Sequence, residues 1–222
     1  MINTLDDYIC SSMPQWGEFE TNPNLQKKVS PEGQLLPFRG NTTVFLLEDS
    51  VKVQLRQLQE SLYQAAPEML AQPLQTSTFH MTLHDLVNGS PDQHRLDSQM
   101  QEAEERAAAL IFRWKQQTPL QMKTTWLFNM VNTSIVLGLA PVDAESWNRL
   151  DQMYTELESV VPLGYALTPH ITMAYFRPGR YSQEQVKKLS AALRKVDMDV
   201  TLHMDNLVLQ DFLDMNHYVT IL

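Results

Sequence analysis

The chain has 222 residues, 43% of them hydrophobic, and carries 17 Lys and Arg against 26 Asp and Glu for a formal charge of −9. That length holds one generous domain or two small lobes on one core, and the apolar fraction excludes a mainly disordered chain. The acidity argues against long nucleic acid, whose non-specific binding rests on neutralising many phosphates. The single cysteine, Cys10, permits no internal disulfide. The start, Met1 to Asp7, lacks a basic stretch leading into an apolar one, and no apolar run reaches the ~20 residues of a membrane span. A monomeric cytoplasmic protein with a small ligand and no membrane partner is the expectation.

Residues 1–36 hold Pro14, Pro23, Pro31 and Gly33 with no sustained hydrophobic period. They read as an irregular N-terminal extension, docked where Trp16 and Phe19 can touch the body. Residues 37–222 read as one bilobal domain. Val44–Leu47 is a short apolar run bounded by turn formers, hence a buried strand. Asp49-Ser50 offers a cap for a helix with Val51, Leu55, Leu58, Leu62 and Ala65 on one face, ending near Ala66 before Pro67. Ser77–Leu86 reads as a strand. A long helix opening at Pro91-Asp92 aligns Leu96, Met100, Ala103, Ala107, Leu110 and Trp114, and Met122–Phe128 is a strand.

The second half repeats this order. Ser134–Leu139 is a strand, and Asp143 caps a helix bearing Trp147, Leu150, Tyr154, Leu157 and Val161. Leu167–Phe176 is a strand, and Ser182 to Gln185 fits a capping box ahead of Val186, Leu189, Leu193 and Val196. Val200–Leu209 and Tyr218–Leu222 read as closing strands. The two halves, about 42–129 and 133–222, thus read as an internal duplication. Every helix has a single apolar face, so the helices should cover one side of the sheet and leave the other free to line a groove. The fold class is α+β with two similar lobes.

The halves agree in sequence at one place, the strand between their two helices. One reads Thr78-Phe-His80-Met-Thr82-Leu and the other Thr168-Pro-His170-Ile-Thr172-Met. Strand side chains alternate, so Thr78, His80 and Thr82 project to one face while Phe79, Met81 and Leu83 project to the other, and the second motif behaves alike. Two imidazoles that titrate near neutrality can divide acid and base work, and two threonine hydroxyls can brace the oxygens of a phosphate between them. Opening a phosphodiester needs an activated water, a protonated leaving oxygen and held equatorial charge, all of which this set supplies without a metal or other cofactor.

The paired His80-Met-Thr82-Leu and His170-Ile-Thr172-Met resemble the twin His-x-Thr/Ser-x signatures of the 2H phosphoesterase superfamily, over about Thr42 to Leu222. That resemblance implies two antiparallel sheets forming a central groove with helices on the outer faces. It further implies metal-independent hydrolysis or ligation at 2′-linked phosphates, with His80, Thr82, His170 and Thr172 in the four catalytic roles. The lead-in Leu36-Pro-Phe-Arg39-Gly-Asn-Thr42 is similar to one in a microbial branch of that group. A small nucleotide or short RNA bearing a 2′,3′-cyclic or 2′-5′ phosphodiester is the expected partner. A non-catalytic nucleotide sensor using the same groove, and RNA 2′-5′ ligase-like tRNA processing, are the alternatives.

Further substrate contacts are expected from Thr78 and Thr168 and from His84, which continues the His80 face by parity. Phe176 is expected at the end of the His170 face, where it could stack on a base. Arg177 and Arg180 in the Arg-Pro-Gly-Arg loop, and Arg39, are the candidate cations for a second phosphate. Tyr175, Trp114, Trp126 and Trp147 read as core. His80 and His84 diverge along a strand, and no HExxH motif or cysteine cluster marks a metal site.

Overall fold

Ten strands and four α-helices are formed among the described residues. The chain runs β1 (Phe19–Glu20), β2 (Arg39–Leu46), α1 (Asp49–Ala65), β3 (His80–Gly89), α2 (Leu96–Trp114), β4 (Leu120–Met130) and β5 (Ser134–Pro141). It continues through α3 (Ala144–Glu158), β6 (His170–Tyr175), β7 (Arg180–Tyr181), α4 (Gln183–Ala192), β8 (Asp199–Leu202), β9 (Leu207–Asp214) and β10 (His217–Thr220). This computed structural model describes residues 2, 13–14, 16–89 and 95–222. The helix start expected at Pro91-Asp92 and the lone Cys10 lie outside the described residues.

All four helices carry an apolar stripe, but only α3 and α4 start on side-chain caps. Helix α1 starts after Glu48 with no side-chain cap bond, so the cap expected at Asp49-Ser50 is not formed, and α2 starts after Arg95 without one. The Asp143 carboxylate accepts from the Ser146 N–H at 2.6 Å to start α3. Ser182 and Gln185 form the reciprocal capping box that starts α4. Helix α1 buries Val51, Leu55, Gln59 and Leu62, and α2 buries Leu96, Met100, Ala103, Ala107, Ile111 and Trp114. These stripes settle on the face of the sheet carrying Phe45, Met81, Leu83, Ile171 and Met173, every one fully buried.

The main sheet has the order β10-β9-β2-β3-β6-β5-β4-β8. Its neighbours all pair antiparallel, yet β3 and β6 meet at the single register Met81↔Ile171. The eight strands thus form one continuous sheet whose two four-stranded halves are joined at this seam. The two halves of the chain also exchange strands: β4, at the end of the first, pairs with β5, and β9, near the end of the second, pairs with β2. The strand expected over Val200–Leu209 is accordingly two. A 3-10 turn at Met204–Asn206 breaks it and carries the chain from the β8 edge of one half of the sheet to β9 in the other.

The segment before β2 is partly built into the body. Phe19 is 2% exposed, Leu25 1% and Val29 0%, whereas Trp16 stays 83% exposed. β1 pairs with β7, and the Phe19 ring lies 4.9 Å from that of Phe176. Among the described residues no helix is long and apolar enough to cross a membrane.

Candidate active site

His80 and His170 begin their strands on the side opposite the helices, with Thr82 and Thr172 one alternation further on. All four line one groove of about 490 Å³. Because Met81 sits across from Ile171 and the strands run antiparallel, His80 falls level with Thr172 and His170 with Thr82. The apolar residues between them, Phe79, Met81 and Ile171, are at most 1% exposed, and their burial aims the polar set into the groove.

Each imidazole is held in one tautomer. His80 Nδ1 lies 2.7 Å from the Thr78 carbonyl oxygen and His170 Nδ1 lies 2.6 Å from that of Thr168. A carbonyl only accepts, so both Nδ1 atoms carry the hydrogen, and Nε2 is the nitrogen left to exchange a proton. Thr78 and Thr168 border the groove, and each gives the site its backbone carbonyl. Thr78 belongs to a 3-10 turn at Thr76–Thr78 rather than to the strand, and its hydroxyl donates to the Gln75 carbonyl at 2.8 Å. The Thr82 and Thr172 hydroxyls make no hydrogen bond among the described residues.

Burial depresses both histidines. Desolvation pushes His80 down to about 4, against the upward pull of the Thr78 carbonyl and the Asp85 carboxylate; the neighbouring His170 and Lys52 push it further down. His170 is also lowered by burial, while the Thr168 carbonyl and Asp85 pull it up.

Beyond the threonines a bulge inverts both strands. Opposite β2, Val44 pairs with Thr82 and Thr43 with His84, so Leu83 is extra. Opposite β5, Val136 pairs with Thr172 and Ile135 with Ala174, so Met173 is extra. The freed carbonyls are taken up by side chains: His84 O accepts from the Thr42 and Thr43 hydroxyls, each at 3.1 Å, and Met173 O from the Gln59 amide at 3.0 Å. Period-two alternation therefore fails past the bulge. Phe176, expected on the His170 face, is instead fully buried against Phe19. Tyr175, expected in the core, lines the groove, and Asp85 does so in the place expected for His84.

His84 still borders the groove end but is buried, its Nε2 3.0 Å from Glu158 Oε1 and its ring 5.0 Å from that of Tyr154. Glu158 also accepts from the Leu163 and Gly164 N–H groups. The pair thus ties β3 to the loop that delivers Thr168 and His170.

The three arginines expected at a phosphate are engaged elsewhere, two of them in ion pairs. Arg39 bonds Asp97, and Arg180 bonds Glu20 at 3.1 Å. Arg177 donates from Nε to the Pro31 carbonyl at 2.7 Å. None of the three lines the groove; Lys28, from the segment read as an extension, does. Its ammonium lies 4.8 Å from the centroid of the Phe38 ring and 5.8 Å from that of Tyr175. A lysine amid Pro and Gly carried no sequence signal. Tyr165, on the loop before Thr168, also lines the groove, and Trp126 is 38% exposed rather than core. Among the described residues no three His, Cys, Asp or Glu side chains converge as they would around a metal ion.

No protein-family model matches the sequence, and no curated protein matches it. Solved structures do. A conserved protein of unknown function from Agrobacterium tumefaciens, ATU0111, is 18% identical, with a TM-score of 0.64 over 92% of this chain and 93% of that one. TT0787 of Thermus thermophilus is 13% identical, with a TM-score of 0.51 over 83% and 95% of the two chains. E. coli LigT is 14% identical, with a TM-score of 0.50 over 84% and 96%. These likenesses show that the chain shares its fold with ATU0111, TT0787 and LigT.

Proposed function

We propose that the chain is a 2H-type phosphoesterase that opens a 2′,3′-cyclic or 2′-5′ phosphodiester of a small nucleotide or short RNA without a metal. The observation that carries this reading is the duplicated His-x-Thr arrangement across the Met81↔Ile171 seam, with both imidazoles fixed by a carbonyl two residues back. Two Nε2 atoms then face one site with two hydroxyls between them. A cyclic phosphate there meets a base on one side and an acid on the other.

In this mechanism one Nε2 takes a proton from water as its oxygen bonds to phosphorus. The opposite Nε2–H gives its proton to the 2′- or 3′-oxygen as the P–O bond breaks. Thr82 and Thr172 donate to the equatorial oxygens, whose charge grows in the transition state. Burial favours the neutral imidazole, which suits the base. The acid must be protonated, and both Asp85 and an anionic phosphate seated between the rings favour that form. His170 is assigned as the acid: its carbonyl and Asp85 pull it up, and it lacks the Lys52 ammonium that further depresses His80.

The test is a panel of 2′,3′-cyclic nucleotides, 2′-5′ oligoadenylates and ADP-ribose cyclic phosphate, assayed with and without EDTA. Turnover of at least one, undiminished by EDTA and lost in His80→Ala and His170→Ala, is expected. Full activity in either variant, or EDTA loss restored by Zn²⁺ or Mn²⁺, overturns the mechanism. Tight binding of a nucleoside monophosphate with no turnover across the panel makes the groove a sensor.

A further inference from the structure

The four motif residues are nearly symmetric about the seam, but the groove they occupy is polar along its length. β3 and β6 leave the Met81↔Ile171 pair in opposite directions, so Asp85 and Tyr175 lie at opposite ends, each roughly 10–13 Å from the seam at ~3.3 Å per residue. At one end stands Asp85, whose carboxylate has no hydrogen-bond or ion-pair partner among the described residues. Beside it Tyr165, on the loop entering Thr168, is 59% exposed on the groove rim. Burial and the nearby charges of Asp85 and Glu158 push its phenol up to about 12. At the other end Lys28 holds its ammonium over the Phe38 and Tyr175 rings, and no carboxylate among the described residues pairs with it.

We infer that the groove orients a nucleotide one way round, with its base over Tyr165 beside Asp85 and a second phosphate, distinct from the reacting one, on Lys28. This rests on the nucleotide reading of the site above. With the 2′-phosphate between the histidines, the base leaves the ribose from C1′ and the 5′-substituent from C4′, the two carbons that flank the ring oxygen. They therefore diverge along the groove and match one end at Asp85 and the other at Lys28. A 5′-phosphate at the Asp85 end meets an uncompensated carboxylate. At the other end it meets an ammonium already positioned by two aromatic faces, so little freedom is lost on binding. The aromatic Tyr165 ring in turn offers a stacking platform at the end where a phosphate is repelled. The substrate class is therefore a nucleotide carrying a second, 5′-linked phosphate.

Calorimetry with adenosine 2′-monophosphate and adenosine 2′,5′-bisphosphate tests this without requiring turnover. The full chain should bind the bisphosphate about tenfold more tightly, as one charge-assisted contact warrants. Lys28→Gln should collapse that ratio towards one and Lys28→Arg should keep it, with unchanged melting showing that both variants fold. A crystal of the bisphosphate complex should place the 5′-phosphate within reach of Lys28. Equal affinities in the wild type, an intact ratio in Lys28→Gln, or a 5′-phosphate at Asp85 overturns the inference. If no diester is hydrolysed but the ratio behaves as stated, the hydrolytic reading falls and this one stands. Failure to bind either ligand sinks both.

Discussion

The strands β3 and β6 are the same device built twice. Each starts with a histidine whose Nδ1–H bonds the carbonyl two residues back, presents a threonine next, and bulges one residue later. They part company after the bulge, where β3 puts Asp85 into the groove and β6 puts Tyr175 there. Chemistry on a symmetric phosphate needs only the shared part. Telling one end of a substrate from the other needs the part that differs, and in this molecule the difference begins at the bulge.

The most severe way to break the equivalence is to remove the imidazoles in turn. His80→Ala and His170→Ala should each lower kcat about 10³-fold on a natural diester, within the range of general acid–base catalysis. A nitrophenyl ester, whose leaving group needs no proton, separates their roles. It should restore most of the rate to His170→Ala and none to His80→Ala. Rescue of the His80 variant instead would exchange the two roles. Thr82→Val and Thr172→Val come next, each expected to cost about 10²-fold in kcat as one lost donor to a developing oxyanion, with KM changing far less.

Much of this site is legible in the sequence, because the paired motif, the apolar helix stripes and the caps at Asp143 and Ser182 are local patterns. The assignment of Phe176 and His84 to the groove assumed unbroken alternation. A bulge leaves no mark in a single sequence when its extra residue, Leu83 or Met173, is as apolar as its neighbours. The carbonyls it frees are satisfied by Thr42, Thr43 and Gln59 from other elements, a tertiary fact. In the sequence Arg39 and Arg180 read as phosphate ligands, and only the fold supplies their carboxylate partners Asp97 and Glu20. Lys28 reads as part of an irregular extension, because only the fold brings Phe38 and Tyr175 beneath it.

The bulges themselves can be set against each other. Gln59 is buried, and its amide also donates to the Leu74 carbonyl at 3.1 Å. Gln59→Ala therefore strands two carbonyls and should cost about 2–3 kcal/mol in urea unfolding. At β3 the Thr42 and Thr43 hydroxyls share one acceptor. Thr42→Val leaves Thr43 in place, so it should cost under about 1 kcal/mol. Equal losses from the two changes would mean that the bulges are not supported in the way described.

The smallest effect is also the one that separates the two ends of the groove by charge. Asp85 raises the proton affinity of both histidines, opposing the burial that depresses them. With His80 as base in the free protein, the acid limb of kcat/KM should lie near pH 4 rather than near 6.5, since His80 is held at about 4. Asp85→Asn removes the upward pull. The base then stays neutral to lower pH, and the acid loses its proton at lower pH, so both limbs should move in the acid direction. Tyr175→Phe, the matching change at the opposite end, removes no charge and should leave both limbs in place. An alkaline limb that does not move in Asp85→Asn would mean that Asp85 does not help hold the acid protonated.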